Sequence, residues 1–316
     1  MASVDIAIPC YQHGHYLRDC VASVLQQGVD DIRILIIDNA STDNSAEVAR
    51  ALALEDSRIE VSLHQINVGP HASFNEGVDW ADADYFMVLC SDDLLTPDSL
   101  HSMMDIMERN PDVSFAHGND VHWLAGEARP DARASTNGWC IRDGRDFILD
   151  RCRAPERYIA AGMVLTRTSA HKKAGHYRQE LPHTDDLEML LRLATLGRVA
   201  DCGSILGIKR MHAHNRTHDF LTERTRDLVE RHAALESFFN HEGHDLTGWE
   251  HMLALGRRGI SERAYWCGVK DLAHGRRSGI DLLKLAVRLS PRTAIIPPFS
   301  YLSRMERSLA ESIRHG

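Results

Sequence analysis

"MVLCSDDLLTP", Met87 to Pro97, sets two adjacent carboxylates, Asp92 and Asp93, directly behind an apolar run that reads as the end of a buried strand. Like charges at the partly desolvated mouth of a sheet repel, so the pair needs a cation, hydrogen-bond donors or open water. Thr96 and Pro97 follow as the expected N-cap and first position of a helix. Strand, polar corner and helix in that order make one unit of an α/β fold.

Upstream, "VDIAIPC" (Val4 to Cys10), "IRILIID" (Ile32 to Asp38), Ile59 to Leu63 and Tyr85 to Leu89 are short apolar or β-branched runs that predict strands. Between them, His15 to Gln27, Ala46 to Leu54 and His71 to Trp80 predict helices. The first of these keeps Tyr16, Leu17, Cys20, Val21, Val24 and Leu25 on one face and stops at Gly28. Strands alternating with helices imply a doubly wound, mostly parallel sheet covered on both faces. Ligands bind such sheets beyond the carboxyl ends of the strands, where Pro9, Tyr11, Asp38 and Asp92 fall.

After about Asp112 the alternation loosens. "VSFAHGNDVHWL" (Val113 to Leu124) reads as a strand pair, and "GMVLTRTSAHKKAG" (Gly162 to Gly175) as a strand and short helix. "TDDLEMLLRLATLG" (Thr184 to Gly197) reads as a helix, acidic in its first turn and carrying Arg192 late. From about Leu221 the pattern is helical, so the expected organisation is a sheet domain over 1–220 and a helical C-terminal region over 221–316.

The net charge of -9 over 316 residues argues against a nucleic-acid partner, because phosphate affinity comes from clustered Lys and Arg. An anionic ligand is then held locally, by a metal or by backbone donors. Seven scattered cysteines without a C-x-x-C spacing point to a reducing cytoplasm rather than a disulfide framework or a zinc site. Neither a leader pattern nor an apolar run of about 18 residues is present, so no signal peptide or membrane span is expected. Residues 276–316 hold eight Arg or Lys against three Asp or Glu among apolar stretches. That segment reads either as a helical cap, packed on the sheet domain or on a second subunit of a homodimer, or as a peripheral contact with an anionic membrane.

Four segments in order resemble the family-2 glycosyltransferases: "VDIAIPCYQHGHYLRDCVASVLQQ" leading to "IRILIIDNASTDNS", "NVGPHASFNEG" (Asn67 to Gly77), "CSDDLLTP" and "TDDLEMLLRLATLG". They span roughly residues 4–215 and leave the last hundred uncovered. The resemblance implies a GT-A fold, a Mn2+ or Mg2+ cofactor, and an inverting transfer of a sugar. The donor implied is a nucleotide sugar, a UDP-sugar foremost, and the acceptor a saccharide or lipid-linked saccharide in bacterial surface polysaccharide synthesis. Such an enzyme works in the cytoplasm, at the inner face of the membrane when its acceptor is lipid-linked.

By the same resemblance Asp92 is the direct metal ligand, and Asp93 either ligates or orients ribose and metal-bound water. His212, in "RMH", completes the metal shell or meets the diphosphate, unless the segment is a surface loop. Cys90 stands where the family commonly has the first Asp of D-S-D-D. Asp38 accepts from the base or caps the turn that follows it; Tyr11 stacks on the base or packs; Pro9, Asn67, Ser91 and Arg210 complete the nucleotide set. Asp186 is the candidate general base and Asp185 its companion, orienting the site or contacting the acceptor. Both also suit a helix N-terminus, with Glu188 three residues after Asp185 as in a capping box. His214 and His218 follow His212 at a zinc-like spacing without an acidic or Cys partner in register. Two rival readings stay open: a catalytically inactive nucleotide-sugar-binding module, and a sugar nucleotidyltransferase, whose Gly-rich basic loop "PCYQHGHYL" lacks.

Overall fold

Strand β1 (Val4–Cys10) runs parallel to β2 (Ile32–Asp38) on one side and to β4 (Tyr85–Val88) on the other, and β3 (Ile59–Leu63) continues the parallel set beside β2. Helices α1 (Gly14–Leu25), α2 (Ser45–Glu55) and α3 (Pro70–Trp80) make the crossovers, as the alternation predicts. The structure is a computed structural model that describes residues 2–124, 126–155, 159, 161–212, 215, 223–299 and 301–302. Because side chains alternate across a strand, Ile6, Ile8, Ile34 and Ile36 join Leu17, Val21 and Val24 of α1 in one buried cluster. Ala7, Leu35 and Ile37 form the other face with Val78 and Phe74 of α3. Gly77 lets α3 lie on β1: a Cβ there would sit 2.5 Å from that of Ala7.

Past β4 the sheet becomes mixed. β8 (Val164–Arg167) is antiparallel to β4 and to β6 (Val113–Leu124), and β9 (Arg198–Met211) runs parallel to β6. Two short strands, β5 (Leu94–Leu95) and β7 (Trp139–Arg142), pair with β9. Three readings are corrected here. Residues 113–124 form one strand rather than a pair, because the chain passes Gly118 as a register irregularity instead of turning. The helix after the paired carboxylates, α4 (Ser99–Arg109), starts later than Thr96 and Pro97 would place it, with Asp98 in the left-handed region at its cap. Pairing of β5 with β9 keeps the chain extended, and Thr96 spends its hydroxyl on Ile205 O (2.7 Å) instead of capping. "KRM" lies on a strand, β9, and is not part of a surface loop. Gly203 and Gly207 interrupt the apolar alternation that would have marked it.

The chain forms two compact units. The first is Met1–Gly144, Ile159–Gln179 and Leu196–Ala213; it holds the sheet and α6 (Thr168–Ala174). The second is Arg145–Tyr158, Glu180–Thr195 and His214–Gly316. It carries most of α5 (Gly144–Arg153), together with α7 (Asp185–Ala194), α8 (Arg224–Asn240), α9 (Trp249–Ala273) and α10 (Ser278–Leu289). Phe238, Phe239, Ile260, Leu282 and Ala286 are buried in it. α9 and α10 cross closely at Gly268 and Gly279, where a Cβ on Gly279 would stand 2.6 Å from Gly268 O. No helix among the described residues is long and apolar enough to cross a membrane.

Candidate functional site

The carboxyl end of β4 turns sharply. Leu89 N–H donates to Ala7 O (2.9 Å) and Asp93 N–H to Cys90 O (3.0 Å), so Cys90 to Asp93 form a tight corner beside the end of β1. Cys90 holds this corner through its backbone oxygen, which also accepts the Cys20 thiol (3.5 Å). Ser91, Asp92 and Asp93 are all buried.

The two carboxylates have different partners. Asp92 Oδ2 lies 3.1 Å from His212 Nε2, whereas Asp93 Oδ1 accepts the Arg210 N–H (3.1 Å). Arg210 also donates from Nε to Asp92 O (3.0 Å) and from Nη2 to Asp19 Oδ2 (2.8 Å), its guanidinium set over the rings of Tyr16 and Trp123. The end of β9 is thereby fastened to the corner. Burial disfavours ionisation of both acids, but not equally. At Asp93, burial and then the charge of Asp92 push the carboxyl well above its ordinary value. At Asp92, burial is outweighed by the hydrogen bond to His212 and the field of His13, which hold it below. The repulsion implied by the adjacent pair thus falls unequally on the two acids, raising Asp93 while His212 and His13 hold Asp92 down.

His13 is the residue that the sequence pattern does not single out. It follows β1, its Nδ1 lies 3.0 Å from Ser91 Oγ, and its ring meets that of His212 edge-on at 5.4 Å. Candidate ligand atoms of His13, Asp92 and His212 all fall within 4.8 Å of one another, as do those of Cys90, Asp92 and Asp93. Only the position of His13 in a loop at a strand's carboxyl end pointed toward it.

The loop after β1 is stitched to the "NASTDNS" turn. Gln12, held at a φ of 60°, donates its N–H to Ser41 Oγ (2.9 Å) and its side-chain amide to Thr42 Oγ1 (2.7 Å). His13 N–H reaches Ser45 Oγ (3.1 Å) and Gly14 N–H reaches Asp43 Oδ2 (3.1 Å). Asp38, buried at the end of β2, accepts the Ser41 N–H on Oδ2 (3.1 Å), which is the turn-capping role. Its Oδ1 is buried and has no hydrogen-bond partner among the described residues. A buried orphan acceptor calls for a donor from elsewhere. Tyr11 is 46% exposed and so presents a ring face. Pro9 pairs in register with Ile37, and exposed Asn67 builds its own loop by accepting from Asn39 Nδ2 (3.1 Å) and Gly69 N–H (2.9 Å).

Asp185 and Asp186 belong to the second unit, at the start of α7. The capping-box alternative is not realised. Thr184 occupies the cap position but donates its hydroxyl to Glu230 O (2.9 Å), and Glu188 is fully buried in an ion pair with Arg192 (2.8 Å). Asp186 is half-buried and accepts the adjacent Leu187 N–H (2.7 Å). Burial, and then the charge of Asp185, push its carboxyl up to about 6. His214 and His218 lie outside the described residues.

The model of the glycosyl transferase family 2 matches residues 5–173. Glycosyltransferase GlyG of Streptococcus pneumoniae serotype 4 is 34% identical over 173 residues, 54% of this chain and 56% of that protein. Chondroitin synthase of Pasteurella multocida is 26% identical over 212 residues, 67% of this chain and 21% of that protein. The chain thus spans 56% of the first relative's length and 21% of the second's. Among solved structures, S. aureus TarS 1-349 in complex with UDP-GlcNAc superposes with a TM-score of 0.56 at 14% identity, covering 92% of this chain and 90% of that one. Mannosyltransferase PcManGT from Pyrobaculum calidifontis, in complex with GDP-Man and Mn2+, gives 0.58 at 12% identity, covering 99% and 81%. At such identities the likeness is one of fold, and the GT-A fold implied by the four segments is the fold found.

Proposed function

We propose a reaction on the premise that the chain belongs to glycosyl transferase family 2: inverting transfer of a sugar from a nucleotide sugar, a UDP-sugar foremost, to a saccharide or lipid-linked saccharide acceptor in bacterial surface polysaccharide synthesis. The observation that carries it is the row of carboxyl ends β2, β1, β4, which delivers a buried Asp38 with an unpartnered oxygen and a buried Asp92 facing His212. Asp38 Oδ1 takes the base N–H, and Tyr11 offers its exposed ring to the base beside Pro9. Ser91 and Asn67 shape the walls, and Arg210 fixes the corner through its bonds to Asp92, Asp93 and Asp19. A divalent ion, Mn2+ or Mg2+, fits the donor set of Asp92 and His212 with Asp93 beside them, and when bound supplies positive charge opposite the departing diphosphate.

Asp186 takes the proton from the acceptor hydroxyl, for which a carboxyl near 6 is ionised at neutral pH yet basic enough to act. Burial, and then the charge of Asp185, keep it so. TarS bound to UDP-GlcNAc and the polysaccharide synthases among the relatives support this donor class and setting. The C-terminal unit exposes Ile295, Ile296 and Phe299 close in sequence to Arg292, which supports a peripheral contact with an anionic membrane carrying the acceptor. The test is turnover of a panel of UDP- and GDP-sugars by the full chain, stripped with EDTA and then given Mn2+ or Mg2+. Release of nucleotide from one donor, lost on stripping and restored by metal, is expected. Binding without turnover would leave only a nucleotide-sugar-binding module, and no response to any donor would refute the reading.

A further inference from the structure

We propose that His13 is a third protein ligand of the metal centre, so that the ion is held by two imidazoles and one carboxylate and the site prefers Mn2+ and later first-row ions over Mg2+. This rests on the metal site proposed above and adds a ligand from a different loop.

Three observations carry it. Ligand atoms of His13, Asp92 and His212 stand within 4.8 Å of one another, while donors bound to one ion at about 2.1 Å each are roughly 3–4 Å apart. Adjustment on the order of 1 Å therefore closes them on a single ion. Second, His13 is held in place: Ser91 Oγ fixes its Nδ1, and its own N–H is tied to Ser45 Oγ. A hydrogen bond to one ring nitrogen is the usual way to orient the other toward a metal. Third, the competing set of Cys90, Asp92 and Asp93 has an oxygen of Asp93 committed to the backbone of Arg210. Imidazole nitrogen suits transition ions, whereas Mg2+ demands oxygen and keeps its water. Two nitrogens in the shell thus turn a generic divalent site into a selective one.

Pulsed electron paramagnetic resonance of the Mn2+-loaded full chain counts nitrogen ligands directly. Two imidazole couplings are expected in the native protein and one in His13→Gln, with Mn2+ binding weakened about 10-fold and Mg2+ binding changed far less. His13→Asp, which returns an oxygen donor, is expected to give one coupling and to shift the preference toward Mg2+. An unchanged coupling count in both His13 variants, with Mn2+ binding still abolished by Asp92→Ala, overturns the assignment of His13 alone. Mn2+ binding that is absent in the native protein or survives Asp92→Ala overturns the metal site itself, and His13 with it.

Discussion

Replacing Asp186 by Asn is expected to make the protein more stable and the enzyme nearly inactive. The carboxyl rises from an ordinary 3.8 to about 6 because burial, and then the charge of Asp185, oppose its ionisation. At 1.36 kcal/mol per pKa unit the rise corresponds to about 3 kcal/mol between the two protonation states. Partial exposure of the side chain trims this to about 1–2 kcal/mol. Between these two values the folded state keeps a proton that the unfolded chain has released. Stability from this residue is therefore fully present below pH 3.8 and lost as pH rises through about 6. Asn cannot ionise and keeps an acceptor for the Leu187 N–H, so at pH 8 the variant should exceed the native protein by about 1–2 kcal/mol. At pH 4 the two should nearly coincide. Urea unfolding at both pH values measures this, and donor turnover in the same samples should fall by about 10²–10⁴-fold if the residue is the general base. Equal stability at pH 8, or undiminished turnover, would refute the respective half of the argument.

Asp38→Asn leaves an acceptor for Ser41 but removes the charge facing the orphaned position; calorimetry should show UDP binding weakened about 10-fold, or about 1.4 kcal/mol, and unaltered binding would exclude contact with the base. Glu188→Gln removes the negative charge paired with the buried Arg192 guanidinium and should cost about 3–5 kcal/mol in urea unfolding; a loss under about 1 kcal/mol would mean the pair does not anchor α7. Gly77→Ala pushes a methyl against Ala7, and the strain of about 1–3 kcal/mol should match or exceed the gain of about 1 kcal/mol in helix propensity, seen as a melting temperature no higher than native. The full chain should sediment with vesicles containing anionic lipid, and Ile295→Asp with Ile296→Asp should release it; sedimentation unchanged by that pair would move the contact elsewhere.

The parallel half of the fold was legible because its signals are local. Apolar runs of four to seven residues and one-sided helices lie contiguous in the chain, and β1 to β4 follow them within a residue or two. The mixed half was not. β9 owes its conformation to β6, β5 and β7, and its Gly207 is there for the close approach of Met163 and Leu94 O, which erases the alternation that marks a strand. For the same reason Thr96 looked like a cap: its hydroxyl and the cap position were visible, but the carbonyl of Ile205 that takes the hydroxyl was not.

Residue types alone determined that paired carboxylates stand at a strand's carboxyl end, that Asp38 ends a neighbouring strand, and that an acidic helix start carries Asp185 and Asp186. Chemistry of that kind is written in order along the chain. What only the folded protein decided is how those groups differ from one another. Burial opposes the charge of both acids, but the hydrogen bond from His212, more than a hundred residues away in sequence, and the field of His13 hold Asp92 below its ordinary value, while the charge of Asp92 adds to burial in pushing Asp93 above its own. Asp38 has one oxygen used and one left over because Ser41 reaches only the first. His13 becomes a neighbour of Asp92 because the ends of β1 and β4 are adjacent in the sheet. Burial and field are sums over groups distant in sequence, so the identity of an acid is local information while its charge is not.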